Sequence, residues 1–281
     1  MLRYLLAVLT LLSCSDLAAQ VAPSKGPGNT APLAIGDTFT IDSDILGEQR
    51  RINVYAPAGY AEADDVRLPV LYMPDGGVRE DFLHVAGLVQ ISSLNQTMRP
   101  FLLVGIENTE RRRDLTGPTE NEQDRTIAPR VGGSAAFRAF IRDELMPKIQ
   151  AAYRTTGATA IVGESLAGLF VVETLLLEPA LFDTYIAIDP SLWWNDQRLV
   201  NDAVPLLMEH AGMQKTLYLA TSSQPQLAAI TERFADLLRD GAPEGLTMHL
   251  THFPDEYHHT IYHPAALKAF RTVFAPPPRD P

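Results

Sequence analysis

The stretch Ala158-Thr159-Ala160-Ile161-Val162-Gly163-Glu164-Ser165-Leu166-Ala167-Gly168 decides how this chain folds. Its first five residues form a short run of the kind that fills a strand buried on both faces. An apolar helix, Leu169 to Leu177, follows at once. A strand that passes into a helix through so short a link turns sharply, and the positions two before and two after the serine must then be small. Gly163 and Ala167 meet that demand, and Gly168 lets the helix pack close to the sheet. A serine on such a turn projects from the carboxyl edge of the sheet, where the helix N-terminus and the Leu166 amide can stabilise an oxyanion. A G-x-S-x-A string by itself arises by chance in a chain rich in small residues and can cap a helix without chemistry. The flanking strand and helix make it a candidate nucleophile.

Working outward, continuous apolar strands alternate with amphipathic helices, the pattern of a parallel sheet covered on both faces. The strands are predicted at residues 68–73, 101–106, 158–162, 185–188, 216–220 and 246–253, and helices at 83–94, 166–177, 226–238 and 264–274. A further helix is predicted from Ser134, read as its N-cap, to Tyr153, with Phe137, Phe140, Ile141, Leu145 and Ile149 at helical spacing. Ahead of these, residues 38–57 alternate apolar and polar around Leu46-Gly47-Glu48, which predicts an antiparallel hairpin. The segment from Glu107 to Gly133 has no periodicity and carries Pro118, Pro129 and Gly132-Gly133. A loop of that length in a compact domain is more often a functional surface than filler.

A serine nucleophile on this scaffold needs a histidine after the last strand and an acid between the two in chain order. The seven histidines offer few candidates. His249 and His252 lie within the last strand, and His84 and His210 lie off the carboxyl edge. Only Pro254-Asp255-Glu256-Tyr257-His258-His259-Thr260 is correctly placed, and position alone does not choose between His258 and His259. His258, His259 and His263 lack carboxylates at matching helical spacing, so no metal site is expected. For the acid, the usual place after the strand at 216–220 reads Thr221-Ser222-Ser223-Gln224-Pro225-Gln226, with no carboxylate. Two positions stay open, Asp189 at the end of the strand at 185–188 and Glu256 two residues from His258, together with a serine–histidine dyad lacking an acid. Asp189 leads into Pro190-Ser191 and could equally cap a turn.

The 281 residues suit one large domain at 35–275, with a short C-terminal tail at 276–281. The chain opens on Met1-Leu2-Arg3 and the apolar run Leu5 to Leu12, a greasy core well under the ~20 residues that span a bilayer, so residues 1–19 read as a signal peptide. Export then ends by cleavage near Ala18-Ala19 or by lipidation at Cys14, which would be the chain's one link to a membrane. Cys14 is the only cysteine, which excludes disulfides, cysteine metal sites and a thiol nucleophile from the domain. Residues 20–34 read as a flexible linker. A formal net charge of -11 argues against nucleic acid as a partner.

Five stretches in this order resemble the putative-esterase family of the α/β-hydrolase superfamily, which includes siderophore, feruloyl and acetylxylan esterases, S-formylglutathione hydrolases and mycolyltransferases. They are Leu71-Tyr72-Met73-Pro74-Asp75-Gly76; Val104-Gly105-Ile106 with Arg111-Arg112-Arg113-Asp114-Leu115-Thr116; the serine turn; Asp189-Pro190-Ser191-Leu192-Trp193-Trp194; and Phe253-Pro254-Asp255-Glu256-Tyr257-His258. The resemblance implies an α/β-hydrolase fold, mostly parallel, with an N-terminal antiparallel hairpin and helices on both faces. It also implies a serine esterase without metal or organic cofactor, acting on a small-molecule or glycan-linked ester. The family's Glu-x-His pattern falls on His258, and its Asp-Gly turn implies a second oxyanion donor at Gly76 or Gly77. Many members have a serine in place of Asp189 and a glutamate within 223–226, so this chain's pattern is that of a relocated acid. Trp193, Trp194 and Tyr257 are candidate pocket walls, and Arg113, within Arg111-Arg112-Arg113, is a candidate contact for an anionic substrate group. Acyl transfer to a sugar or lipid, and non-catalytic binding on the same fold, are the alternative functions.

Overall fold

The computed structural model describes residues 31–277, and its strands follow the apolar runs of the sequence. β1 (Asp37–Ser43) and β2 (Glu48–Tyr55) form the antiparallel hairpin, with Gly47 at φ 66° in its turn. Then come β3 (Leu68–Pro74), β4 (Leu102–Ile106), β5 (Thr155–Glu164), β6 (Thr184–Ile188), β7 (Lys215–Thr221) and β8 (Leu246–His252). They make one eight-stranded sheet in the order β1-β2-β4-β3-β5-β6-β7-β8, and every pair from β4 to β8 is parallel. The β2–β4 pair is antiparallel and joins the hairpin to the parallel body.

Successive residues of the central strands feed two different cores, as a two-residue side-chain period requires. Val70, Tyr72 and Ile161 face a core with α4 (Ser134–Phe140), α5 (Met146–Ala152), α6 (Leu166–Leu177), α7 (Trp194–Met208) and α8 (Pro225–Gly241). Leu71, Met73, Ala160 and Val162 face a second core with α1 (Phe82–Leu94) and α9 (Tyr262–Val273). Nearly every residue of α6 is buried, which is why that helix is apolar all round and not amphipathic. Among the described residues, no helix is long and apolar enough to cross a membrane.

The helix expected from Ser134 to Tyr153 is present and continuous from Ser134 to Ala152, with one turn of different pitch inside it. Between α4 and α5 the chain makes a π-turn, Ile141–Leu145. Pro147, near the start of α5, supplies no N–H to the preceding turn and crowds it, so the helix widens there. Ser134 is not the N-cap. Gly133 holds that place, and the buried Ser134 hydroxyl has no partner. Three helices lie outside those predicted: α7, and the two one-turn helices α2 (Arg111–Asp114) and α3 (Glu122–Arg125) in the long segment after β4.

That segment is anchored to the hairpin by a buried ion cluster. Arg50 is fully buried and pairs with Asp114, and with Glu48 at 2.6 Å; Arg113 closes the cluster from Asp114 (2.6 Å) to Glu48 (2.7 Å). Removing one partner of a buried pair leaves a charge without compensation. Asp114→Ala is therefore expected to destabilise the fold by about 3 kcal/mol, measured as a shift in the urea unfolding midpoint at unchanged slope.

Candidate active site

Three residues at the carboxyl edge of the sheet take left-handed backbone conformations that non-glycine residues seldom adopt. They are Asp75 after β3 (φ 57°), Ser165 after β5 (φ 59°) and Asp189 after β6 (φ 43°). Around Ser165 the strain is held by packing and hydrogen bonds. The Ser165 amide donates to Ile188 O at 3.0 Å, and its carbonyl accepts from Leu169 (2.9 Å) and Ser191 (3.0 Å). A Cβ on Gly163 would stand 2.6 Å from the Ala167 backbone, and one on Gly168 would stand 3.1 Å from Ile188 O. The turn thus needs glycine at 163, and a side chain at 168 would crowd the Ile188 carbonyl. Leu166 is the first residue of α6, so no intrahelical carbonyl takes its amide.

His258 reaches this serine from the loop between β8 and α9. Its Nε2 lies 3.0 Å from Ser165 Oγ, and its Nδ1 lies 2.7 Å from Asp189 Oδ2. His259 does not take part; its ring stacks on Tyr257. Asp189 is fully buried and further held by Ser222, whose amide donates to Oδ1 at 2.9 Å and whose hydroxyl donates to Oδ2 at 2.7 Å. Burial works against the Asp189 charge, but the hydrogen bonds from His258 and Ser222 outweigh it and keep the carboxyl below its ordinary range. In return the bond to Asp189 raises the His258 imidazole above its ordinary value, against the desolvation that would lower it. Glu256, the other open acid position, stands apart and accepts a hydrogen bond from Thr260.

Several expectations need correction. The Gly76 amide donates to Ile106 O at 2.9 Å and the Gly77 amide to Glu80 Oε2 at 2.7 Å, so neither is a free donor beside Leu166. The left-handed Asp75 turns the chain so that Glu80 folds back onto it. Arg113 does not line the cavity over Ser165, because it is bound into the Arg50 cluster. Trp194 is turned inward, donating its indole N–H to Gly117 O at 3.0 Å, and only Trp193 lines the cavity.

The cavity over Ser165 and His258 has a volume of about 720 Å³. Its walls are Trp193, Pro225 and Leu227 with the amide side chains of Asn121, Gln224 and Gln226. No lysine or arginine lines it. Asp124 sits at its edge, accepting from the Asn195 amide at 2.7 Å and from Thr119 at 3.0 Å, and this ties the α3 loop to the start of α7. Among the described residues, no cluster of three or more histidine, cysteine and carboxylate side chains could hold a metal.

The sequence reading did not single out Ser222, Ser191 or Glu164. Ser191 Oγ lies 3.4 Å from Ser165 Oγ, and Glu164 Oε1 lies 3.3 Å from His258 Nε2. Nor did it single out Arg111 for the site edge, where its guanidinium makes two bonds to Asp75, at 2.6 and 2.8 Å. Ser191 and Glu164 stand within the quoted motifs, but only the fold reveals which way they point.

Known proteins resemble this chain in sequence and fold. A ferri-bacillibactin esterase of Bacillus subtilis is 35% identical over 153 residues, half of each chain. A siderophore triacetylfusarinine C esterase of Aspergillus fumigatus is 29% identical over 188 residues, 61% of each. The matches thus span about half to three-fifths of these curated relatives. Among solved structures, an IroE-like serine hydrolase of Shewanella oneidensis is 29% identical with a TM-score of 0.77, covering 85% of this chain and 80% of that one. The model of the Putative esterase family matches residues 43–237. With most of its length inside that match, the chain belongs to the Putative esterase family.

Proposed function

We propose that this protein is a serine esterase that cleaves carboxylic esters by two-step acyl transfer. The observation that carries the proposal is the unbroken chain Ser165 Oγ, His258 Nε2, His258 Nδ1, Asp189 Oδ2, with contacts of 3.0 and 2.7 Å on a strained strand-to-helix turn. His258 takes the Ser165 proton as Oγ attacks the ester carbonyl. The tetrahedral oxyanion forms beside the Leu166 amide at the positive end of α6. Collapse expels the alcohol, which receives its proton from His258, and water then repeats the sequence on the acyl-enzyme. Asp189 holds Nδ1–H and stabilises the imidazolium. Gln123, Gln224 and Gln226 at the rim are exposed, which lets water reach the acyl group and favours hydrolysis over transfer.

The siderophore esters named for the curated relatives are the substrate class proposed here. The cavity walls of tryptophan, aliphatic and amide side chains suit a multi-amide ester, and the lack of a lining cation disfavours a polyanionic one. Purified protein incubated with triacetylfusarinine C is expected to convert it to ring-opened acids by liquid chromatography and mass spectrometry, and Ser165→Ala is expected not to. Intact substrate in both would remove the substrate assignment. The N-terminal leader is proposed to carry the enzyme to the periplasm or the medium, which the N-terminal mass of the mature protein tests.

A further inference from the structure

The mechanism above uses Asp189 on one side of the His258 ring, yet a second carboxylate stands on the other side. Glu164, the last residue of β5, places Oε1 3.3 Å from Nε2, the nitrogen that must take the serine proton. Its side chain is mostly buried. The charged groups that act on it are His258 from the loop after β8, Arg111 of α2, Asp75 just after β3 and Asp189 just after β6. Tyr262 of α9, whose buried hydroxyl has no partner, adds to the same cluster. Arg111 is already committed to Asp75. Among the described residues no guanidinium is bonded to Glu164, and the cation in direct contact with it is the protonated His258, with Arg111 acting from farther off.

We propose that Glu164, in ion-pair contact with Nε2 and not hydrogen-bonded to it, binds one proton jointly with His258, so that Glu164 sets the pH at which the imidazole is free to receive the Ser165 proton. The two forms, Glu164–COOH with neutral His258 and Glu164–COO⁻ with His258–H⁺, differ only in which side of one contact the proton occupies. In the second form Nε2 carries the proton and is no base for Ser165. Loss of that proton to solvent leaves Nε2 open to the Ser165 hydroxyl and leaves a carboxylate beside it to stabilise the imidazolium that forms on attack. Burial favours the shared-proton state, pushing Glu164 up to about 8 even against the opposing pull of His258 and Arg111. The acid-side rise in activity should accordingly lie on the alkaline side of that expected for a histidine supported by Asp189 alone.

This inference rests on the serine esterase assignment, and its test separates the two. In Ser165→Ala protein, which needs no turnover, NMR of the His258 imidazole should show its titration moving down by about one pH unit when Glu164→Gln is added. In the serine-containing enzymes, the acid limb of kcat/KM for p-nitrophenyl acetate should move by a similar amount. At a pH below both limbs, Glu164→Gln should then retain about 10-fold more of its own plateau rate than the wild type does. If Glu164→Gln does not fold, Glu164→Met, uncharged and near in volume, carries the same expectation. Superimposable titrations, or a uniform loss of rate with no displaced limb, would overturn the proposal and leave Glu164 a packing residue. An inactive wild type with a displaced titration would instead count against the esterase assignment alone.

Discussion

Ser165→Ala is expected to lower kcat/KM for a chromogenic ester by about 10⁴-fold or more while leaving the melting temperature nearly unchanged. Alanine keeps the Cβ that fits beneath α6 but removes the only atom that can form the acyl bond. The backbone contacts of residue 165 to Ile188, Leu169 and Ser191 are main-chain bonds and survive the change. His258→Ala should cost a comparable amount. Because the two side chains act as one unit, the double variant should be scarcely worse than either single one. Additive losses would mean that His258 does not activate Ser165.

Asp189→Asn is expected to reduce kcat by about 10³ to 10⁴-fold. The cause is the tautomer. The Ser222 amide donates to one carboxylate oxygen, while its hydroxyl and His258 Nδ1 both meet the other, which suits an acceptor-only group. An asparagine must turn an NH₂ toward one of these donors. If it faces Nδ1, the imidazole carries its proton on Nε2 and cannot act as a base. Glu256→Gln, which removes a charge of similar kind from the same loop as His258, should stay within a few-fold of wild type. Steady-state rates of the two variants decide between the acids, and the reverse order would move the role to Glu256.

The sheet was legible because strand β5 and helix α6 are apolar runs of unequal length joined through the single residue Ser165. Their periodicities and the small residues at 163 and 167 agree on one local geometry. The π-turn at Ile141–Leu145 inside the predicted helix was not legible because Pro147 sits where a first-turn proline is also tolerated. The start of α7 was hidden by left-handed residues at 195–197, which no glycine announces.

At the site, Asp189 and Glu256 could not be separated from sequence, since that choice depends on strands β6 and β7 lying side by side. The position after β7, where an acid is customary, supplies Ser222 instead, a donor that completes the neighbouring carboxylate's shell. Arg111 and Arg113 illustrate the same limit within one helical turn. Two positions apart on a helix means roughly 200° of rotation, so one guanidinium reaches Asp75 at the site edge and the other is bound into the buried Arg50 cluster. Trp193 and Trp194 diverge similarly, one to the cavity and one to Gly117 O.

Every step of the proposed mechanism requires Ser165 as an activated nucleophile. Mass spectrometry after exposure to a fluorophosphonate probe measures that directly, without knowledge of the natural ester. One covalent adduct per chain, mapped to the peptide containing Ser165 and absent from Ser165→Ala, is the expected result. An unmodified wild type, or an adduct that persists when Ser165 is alanine, would contradict it.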